Sequence, residues 1–233
     1  MRNCTFCAVH KGVPLPLNSN EPQNIAEAVK QLKLNYVVIT CVTRDDLPGG
    51  GAEHFATTIR QLHATVPGIR IEVLVSDFNG NEQSIEIVAE ALPEVFAHNL
   101  ETVPRLYPFV RPMANYQRSL GVLKKAKCLN SSMVTKSGLM LGLGETHAEV
   151  INVMRDLRQA GCELLSLGQY LAPSQAHHPV IDFITPEKFA EYEEIGLAQG
   201  FKGIAAAPLA RSSFRAAELF NRAINPQENN YSR

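Results

Sequence analysis

The chain has little net charge, no long apolar run and no regular cysteine framework, and each lack removes a class of function. Twenty-two Lys and Arg against 23 Asp and Glu leave a formal net charge of −1. Composition therefore offers no electrostatic case for binding nucleic acid or an anionic membrane. No apolar stretch approaches the roughly 20 residues of a membrane-spanning helix. Neither a secretory nor a transit signal is visible, so the cytoplasm is the expected compartment. The five cysteines, Cys4, Cys7, Cys41, Cys128 and Cys162, are an odd number without regular spacing. That argues against a disulfide scaffold and for a reducing compartment. Cys41 and Cys162 adjoin strand-like runs and read as buried apolar residues. No Gly-x-Ser-x-Gly elbow supports a hydrolase triad.

What is present is the patterning of one large domain. The 233 residues are 45% hydrophobic, enough for a full core. Asn20 can cap a helix carrying Ile25, Val29 and Leu32 on one face. The run Tyr36-Val37-Val38-Ile39-Thr40 suits a strand covered on both faces. Phe55, Ile59, Leu62 and Val66 recur at helical spacing, and Ile69 to Val75 follow as a strand. Ile85, Val88 and Leu92 mark a helix, and Val95 to His98 a short strand. Tyr116, Leu120 and Leu123 mark the next helix, and Lys136 to Leu141 the next strand. Thr146-His147-Ala148-Glu149 is a capping box, and Glu163 to Leu167 read as a strand. Thr185-Pro186-Glu187 opens a last clear helix before a strand at Lys202 to Ala206. Such alternation implies βαβ units and a mostly parallel sheet. A barrel is favoured over an open Rossmann-like sheet, because polar groups follow almost every strand and would converge on one mouth. Residues 1–224 form this unit, and the polar residues 225–233 read as a flexible tail.

The polar groups at the strand ends are the candidate chemistry. Cys4-Thr5-Phe6-Cys7 brings two thiols to metal-ligand spacing, with an aromatic of the kind found where an iron–sulfur cluster adjoins a nucleotide. Asp45 and Asp46 suit either acid–base work or pairing with Arg44 at a helix start, the second being favoured. In His98-Asn99-Leu100-Glu101-Thr102, Asn99 and Glu101 alternate and would point to one side of an extended segment. Glu101 can hold an ammonium group, and Arg111 is a bidentate donor for a carboxylate. Lys136 and Gln169 bound further strands. Together these suit a zwitterionic amino acid joined to a nucleoside. Leu141-Gly142-Leu143-Gly144 reads as a tight turn, because it lacks the third glycine or lysine of a phosphate loop. His177-His178 has no partner at zinc-ligand spacing and reads as a solvated loop.

Several stretches carry a resemblance. They are Arg2-Asn3-Cys4-Thr5-Phe6-Cys7, Gly12-Val13-Pro14-Leu15-Pro16-Leu17, Thr43-Arg44-Asp45-Asp46-Leu47-Pro48 and His98-Asn99-Leu100-Glu101-Thr102-Val103. Thr135-Lys136-Ser137-Gly138-Leu139-Met140, Gly142-Leu143-Gly144-Glu145-Thr146, Gly168-Gln169-Tyr170-Leu171 and Arg211-Ser212-Ser213-Phe214 complete them. In this order and spacing they make the chain similar to the lipoyl synthase family of radical S-adenosylmethionine enzymes, from Met1 to about Ile224.

The resemblance implies a partial (β/α) barrel and two [4Fe-4S] clusters in the intact enzyme. One cluster would bind S-adenosylmethionine at an open iron, with Cys4 and Cys7 as two of its three thiolate ligands. Its electron would cleave the sulfonium and give a 5′-deoxyadenosyl radical. That radical would remove hydrogen from the sixth and eighth carbons of an octanoyl chain. The chain would sit on a lysine of a lipoyl-domain protein or glycine-cleavage H carrier, with flavodoxin or ferredoxin as electron donor. The second cluster would be consumed as sulfur donor. Glu101 would hold the methionyl ammonium, with Asn99 and Arg111 nearby. Phe6, Thr40, Lys136 and Gln169 would line the same pocket. Ser212, with Ser213 as the alternative, would ligate the second cluster.

The chain departs from the family at Cys41, Ser76 and Phe214, where serine, proline and tyrosine are usual. Met1 stands where the residue after the first cluster cysteine is expected. That cysteine, a first barrel strand and the cysteines of the second cluster would lie upstream, so the chain as written is expected to be inactive. The alternatives are a non-catalytic lipoyl-domain-binding remnant, or a dithiol or zinc protein using Cys4 and Cys7.

Overall fold

The computed structural model describes residues 2–9 and 12–225. The expectations for Met1 and for 226–233 lie outside the described residues. Eight α-helices and six strands are seen there: α1 Glu21–Gln31, β1 Tyr36–Thr40, α2 Ala52–Thr65, β2 Arg70–Leu74, α3 Glu82–Glu90 and β3 Val95–Ala97. Then come α4 Tyr107–Val110, α5 Tyr116–Leu129, β4 Val134–Leu141, α6 His147–Gln159, β5 Leu164–Gln169, α7 Pro186–Ala198, β6 Gly203–Ala206 and α8 Ala216–Ile224. The strands form one sheet in sequence order, all parallel. Among the described residues β1 and β6 are paired on one side only, so the barrel is open.

Register decides which side chains share a face, since paired residues in a parallel ladder point the same way. Val38, Glu72, Val95 and Val134 are successive partners, as are Lys136, Leu164 and Gly203. These form the inner face. The alternate residues face outward: Ile71, Val73 and Phe96 pack with α1, α2, α3 and α5, while Leu139, Leu165 and Leu167 pack with α6 and α7. α6 starts on the capping box expected from sequence, with Thr146 and Glu149 bonded reciprocally.

The inner face is closed from below by α8. Leu219, Phe220 and Ala223 form one cluster with Val95, Val134 and Leu164, flanked by Tyr36 and Ala205. One nine-residue helix reaches side chains from β1 to β6 only because the sheet curves around it. Neither the short α4 nor the seat of α8 was expected from sequence.

Three expectations need correction. β1 is half-buried and not covered on both faces, because it is an edge strand. Leu32 and Leu92 face solvent at 68% and 61% exposure, each one or two residues past its helix. Ala26 and Ala89 take the buried positions instead. Asn20 begins α1 without a side-chain capping bond.

Phe220 is 3% exposed and its ring lies 5.9 Å from that of Tyr36. Phe220→Ala is expected to lower unfolding free energy by about 3–5 kcal/mol in urea titrations, the range for emptying such a site. A change below 1 kcal/mol would mean that α8 does not seal the sheet.

Candidate functional site

A cavity of about 580 Å³ opens at the carboxyl ends of the strands, where parallel α/β folds place their ligands. Cys4, Phe6, Cys7, Thr40, Asn99, Glu101 and Arg111 line it, as anticipated for a common pocket. Arg2, Asp77 and His98 also line it, and none of them was singled out from sequence. Cys41 lies on it too and is exposed. The expectation of a buried Cys41 is corrected, since the residue stands just past the end of an edge strand. Cys162 is fully buried as expected, and burial pushes its thiol up to about 12.

Glu101 is the strained centre of the site. Its φ of 65° is left-handed, a conformation that costs a non-glycine residue of order 1–3 kcal/mol. It is held there by bridging to β4: Glu101 N–H donates to Gly138 O at 2.9 Å, and Met140 N–H donates to Glu101 O at 2.8 Å. The segment is thus not extended, yet Asn99 and Glu101 do meet. Asn99 Nδ2 donates to Glu101 Oε1 at 3.1 Å. Gly138 leaves the room for this, because a Cβ there would lie 2.9 Å from Asn99 Oδ1. Burial raises the Glu101 pKa, against the opposing pull of Arg111 and Asn99. No cation forms a salt bridge with its carboxylate among the described residues.

Arg111 is a brace more than a free fork. Its Nη1 donates to Asn99 O at 3.1 Å, Leu100 O at 2.8 Å and Tyr107 Oη at 3.1 Å. Its Nε is buried with no hydrogen-bond partner, so that N–H is left for an incoming group. The Cys4 thiol is raised by burial, and Arg111 works against that rise. His98 donates Nδ1–H to Val75 O at 2.9 Å, which leaves Nε2 to accept from Ser119 Oγ at 3.0 Å. Burial, aided by Arg111, lowers its pKa to about 4.

Lys136, Gln169 and Ser212 are not among the residues that line the cavity. Lys136 Nζ lies 2.7 Å from Glu72 Oε1, with both side chains almost fully buried, and donates to Ser212 O at 2.6 Å. Tyr36 Oη donates to the other Glu72 oxygen at 2.7 Å. Ser212 Oγ accepts from Asn99 Nδ2 at 3.1 Å, so one amide joins this layer to Glu101. Gln169 faces outward and holds the 182–184 segment, donating to Asp182 O and accepting from Ile184 N–H.

The remaining motifs resolve structurally. Asp46 pairs with Arg44 at 2.8 Å, the favoured reading, whereas Asp45 pairs with Arg2 at 3.0 Å. The Gly142 turn receives its own anion: the Glu145 carboxylate accepts from Gly142 N–H at 2.6 Å and Leu143 N–H at 2.9 Å. His178 bonds Leu143 O through Nε2 and donates its N–H to Thr5 O, which ties it to the Cys4–Cys7 turn.

Both thiols of the turn open onto one cavity, so the pair fits as two ligands of a cluster held there, beside the Glu101 carboxylate and the unpartnered Arg111 Nε. No group of three or more His, Cys, Asp or Glu suited to a metal exists among the described residues. Ser212 therefore has no set of thiol partners there, and a second cluster does not fit the described residues.

Comparisons with known proteins agree with the geometry. A family model described as the Radical SAM superfamily matches residues 1–157. Lipoyl synthase of Caldanaerobacter subterraneus subsp. tengcongensis is 57% identical over 215 residues, covering 92% of this chain and 75% of the relative. Lipoyl synthase of Aquifex aeolicus is 54% identical over 217 residues, covering 93% and 79%. Among solved structures, methylornithine synthase aligns with a TM-score of 0.63 at 14% identity, covering 88% of this chain and 60% of that one. That likeness bears on the fold, which is a partial barrel of the radical S-adenosylmethionine type. No helix among the described residues is long and apolar enough to cross a membrane.

Two outcomes follow from the buried charges. The unfolded chain binds a proton at His98 near pH 6.5, while the folded chain does so only at about 4. Stability from this residue is present above pH 6.5 and lost as pH falls towards 4. The stability advantage of the native protein over His98→Gln should shrink across that window, and a constant difference in denaturant titrations would refute it. Lys136→Met leaves Glu72 buried without its cation, and is expected to destabilise by about 3–5 kcal/mol. Glu72→Gln added to it should recover part of that loss.

Proposed function

The chain belongs to the lipoyl synthase family of radical S-adenosylmethionine enzymes, and from that membership we propose what its cavity holds. The family is one of sulfurtransferases that use four-iron clusters and S-adenosylmethionine. In this chain Cys4 and Cys7 would supply thiolates to the cluster, and Glu101 would accept the methionyl ammonium. The observation that carries the assignment is the half-buried Glu101 carboxylate, bonded by Asn99 and unpaired with any cation, in one cavity with both thiols.

Each residue has a definable task. Asn99 orients the Glu101 carboxylate and keeps a second amide hydrogen on Ser212. Arg111 locks the left-handed turn through two backbone carbonyls, and its free Nε can meet the ligand's carboxylate. Thr40 already donates its hydroxyl to Leu74 O at 3.2 Å, so it offers lone pairs and not a donor. Phe6 supplies an aromatic surface beside a nucleoside. When bound, the cluster and S-adenosylmethionine supply one-electron chemistry that no side chain here can perform.

The reaction we infer for the family activity is sulfur insertion at the sixth and eighth carbons of a protein-bound octanoyl chain. The carrier would be a lipoyl-domain or glycine-cleavage H protein, and a flavodoxin or ferredoxin would supply electrons. Support for these details comes from family membership. The described residues offer a second cluster no ligand set.

Glu101→Gln keeps the shape of the site and removes the charge. Loss of one charge-assisted bond of 1.5–3 kcal/mol should raise the Kd for S-adenosylmethionine about 10- to 150-fold in equilibrium dialysis with reconstituted protein. Unchanged affinity would remove Glu101 from the binding role.

A further inference from the structure

Arg2 stands two residues before Cys4 and joins two strand-end loops through one guanidinium. Its Nε donates to Asp45 Oδ2 at 3.0 Å, and its Nη2 donates to Asp45 Oδ1 at 3.1 Å and Asn79 Oδ1 at 2.8 Å. The same Nη2 lies 2.5 Å from Asp77 Oδ1. The Arg2 side chain is only 6% exposed and that of Asp77 is wholly buried. Asp77 is matched on its other oxygen by Arg118 Nε at 2.6 Å, and Asn79 N–H donates to its first at 3.0 Å. Asn79 Nδ2 closes the ring onto Asp45 at 3.0 Å. Two carboxylates thus face two guanidiniums, a balanced set in which each buried charge has bonded partners. Burial alone would raise the Asp77 pKa, but Arg2 and Arg118 outweigh it and hold the group at about 2.

The far side of the turn is fastened separately. Thr5 N–H donates to Val110 O at 3.0 Å, Thr5 Oγ1 donates to Phe109 O at 2.9 Å, and His178 N–H donates to Thr5 O at 2.9 Å. Between the two anchors Cys7 N–H closes onto Cys4 O at 3.3 Å. Every one of these bonds runs between protein atoms alone.

We propose that Arg2, seated between Asp45 and Asp77, is a positioning residue that holds the Cys4–Cys7 turn in ligating shape before any metal arrives. A ligand pair fixed by surrounding hydrogen bonds loses less freedom on binding and is held more accurately. The functional meaning rests on the reading of Cys4 and Cys7 as cluster ligands, but the test does not. It reads thiol access in metal-free protein, so failure of S-adenosylmethionine to bind at Glu101 would leave it untouched.

The experiment is alkylation of the metal-free chain by iodoacetamide, with the rate at each cysteine followed by mass spectrometry. Cys162 is fully buried and reports whether the fold is intact. Arg2→Gln should speed labelling of Cys4 and Cys7 about tenfold or more, the factor that 1.4 kcal/mol of lost local stability produces, with Cys162 still protected. Arg2→Lys restores the charge without the planar fork and should give an intermediate rate, a graded rescue that general loosening would not produce. If Arg2→Gln exposes Cys162, Arg2→Lys decides the matter alone. Native-like rates at Cys4 and Cys7 in the variant that keeps Cys162 protected would overturn the proposal.

Discussion

The buried pair of Glu72 and Lys136 is the constraint on which the interior depends. Their atoms lie 2.7 Å apart with almost no exposure, so neither charge has water to fall back on. Such a pair stabilises little by itself, but removing one partner is severe. Tyr36 and the carbonyl of Ser212 complete the bonding. The pair therefore divides the inner face of the sheet into two storeys. Below it, α8 packs an apolar floor; above it, Asn99 and Glu101 face the cavity. Because Lys136 also bonds Ser212, the C-terminal segment is fastened to the same charge that separates the layers.

The upper storey depends on one side chain with two clients. Asn99 gives one amide hydrogen to Glu101 and another to Ser212. Its own carbonyl and that of Leu100 are gripped by Arg111, and His98 next to it is locked between Val75 and Ser119. The Asn99–Glu101 turn is thus determined from both sides of the backbone. That is the setting in which a left-handed glutamate persists.

Much of this was legible in the sequence, for identifiable reasons. The capping box at Thr146 is a local pattern and forms as read. The apolar periodicities located the strands and most helices, because burial selects them residue by residue. The grouping of Asn99, Glu101 and Arg111 was read from the residues, whereas Cys4 and Thr40 were joined to them by the family resemblance; all five line one cavity. Gln169 shows a signal that was available and unused: it alternates with Leu165 and Leu167, and that parity puts it on the outer face. The ring around Arg2 was not legible, because Asp45 and Asn79 are 43 and 77 residues away in the chain. Nor was the seat of α8, since an amphipathic helix does not announce which face of a sheet it will cover.

That seat makes the dryness of the whole interior depend on one helix. A domain folds as a unit, so the sheet and the helix that covers it are stabilised together. The six strands are complete at Ala206, but the helix that floors them ends at Ile224. Without that helix the hollow of the sheet would stand open to water, and Glu72 and Lys136 would be hydrated. The residues of α8 are therefore the ones that dry the interior. The ionic layer thus owes its low-dielectric surroundings to a helix that follows every strand in the chain.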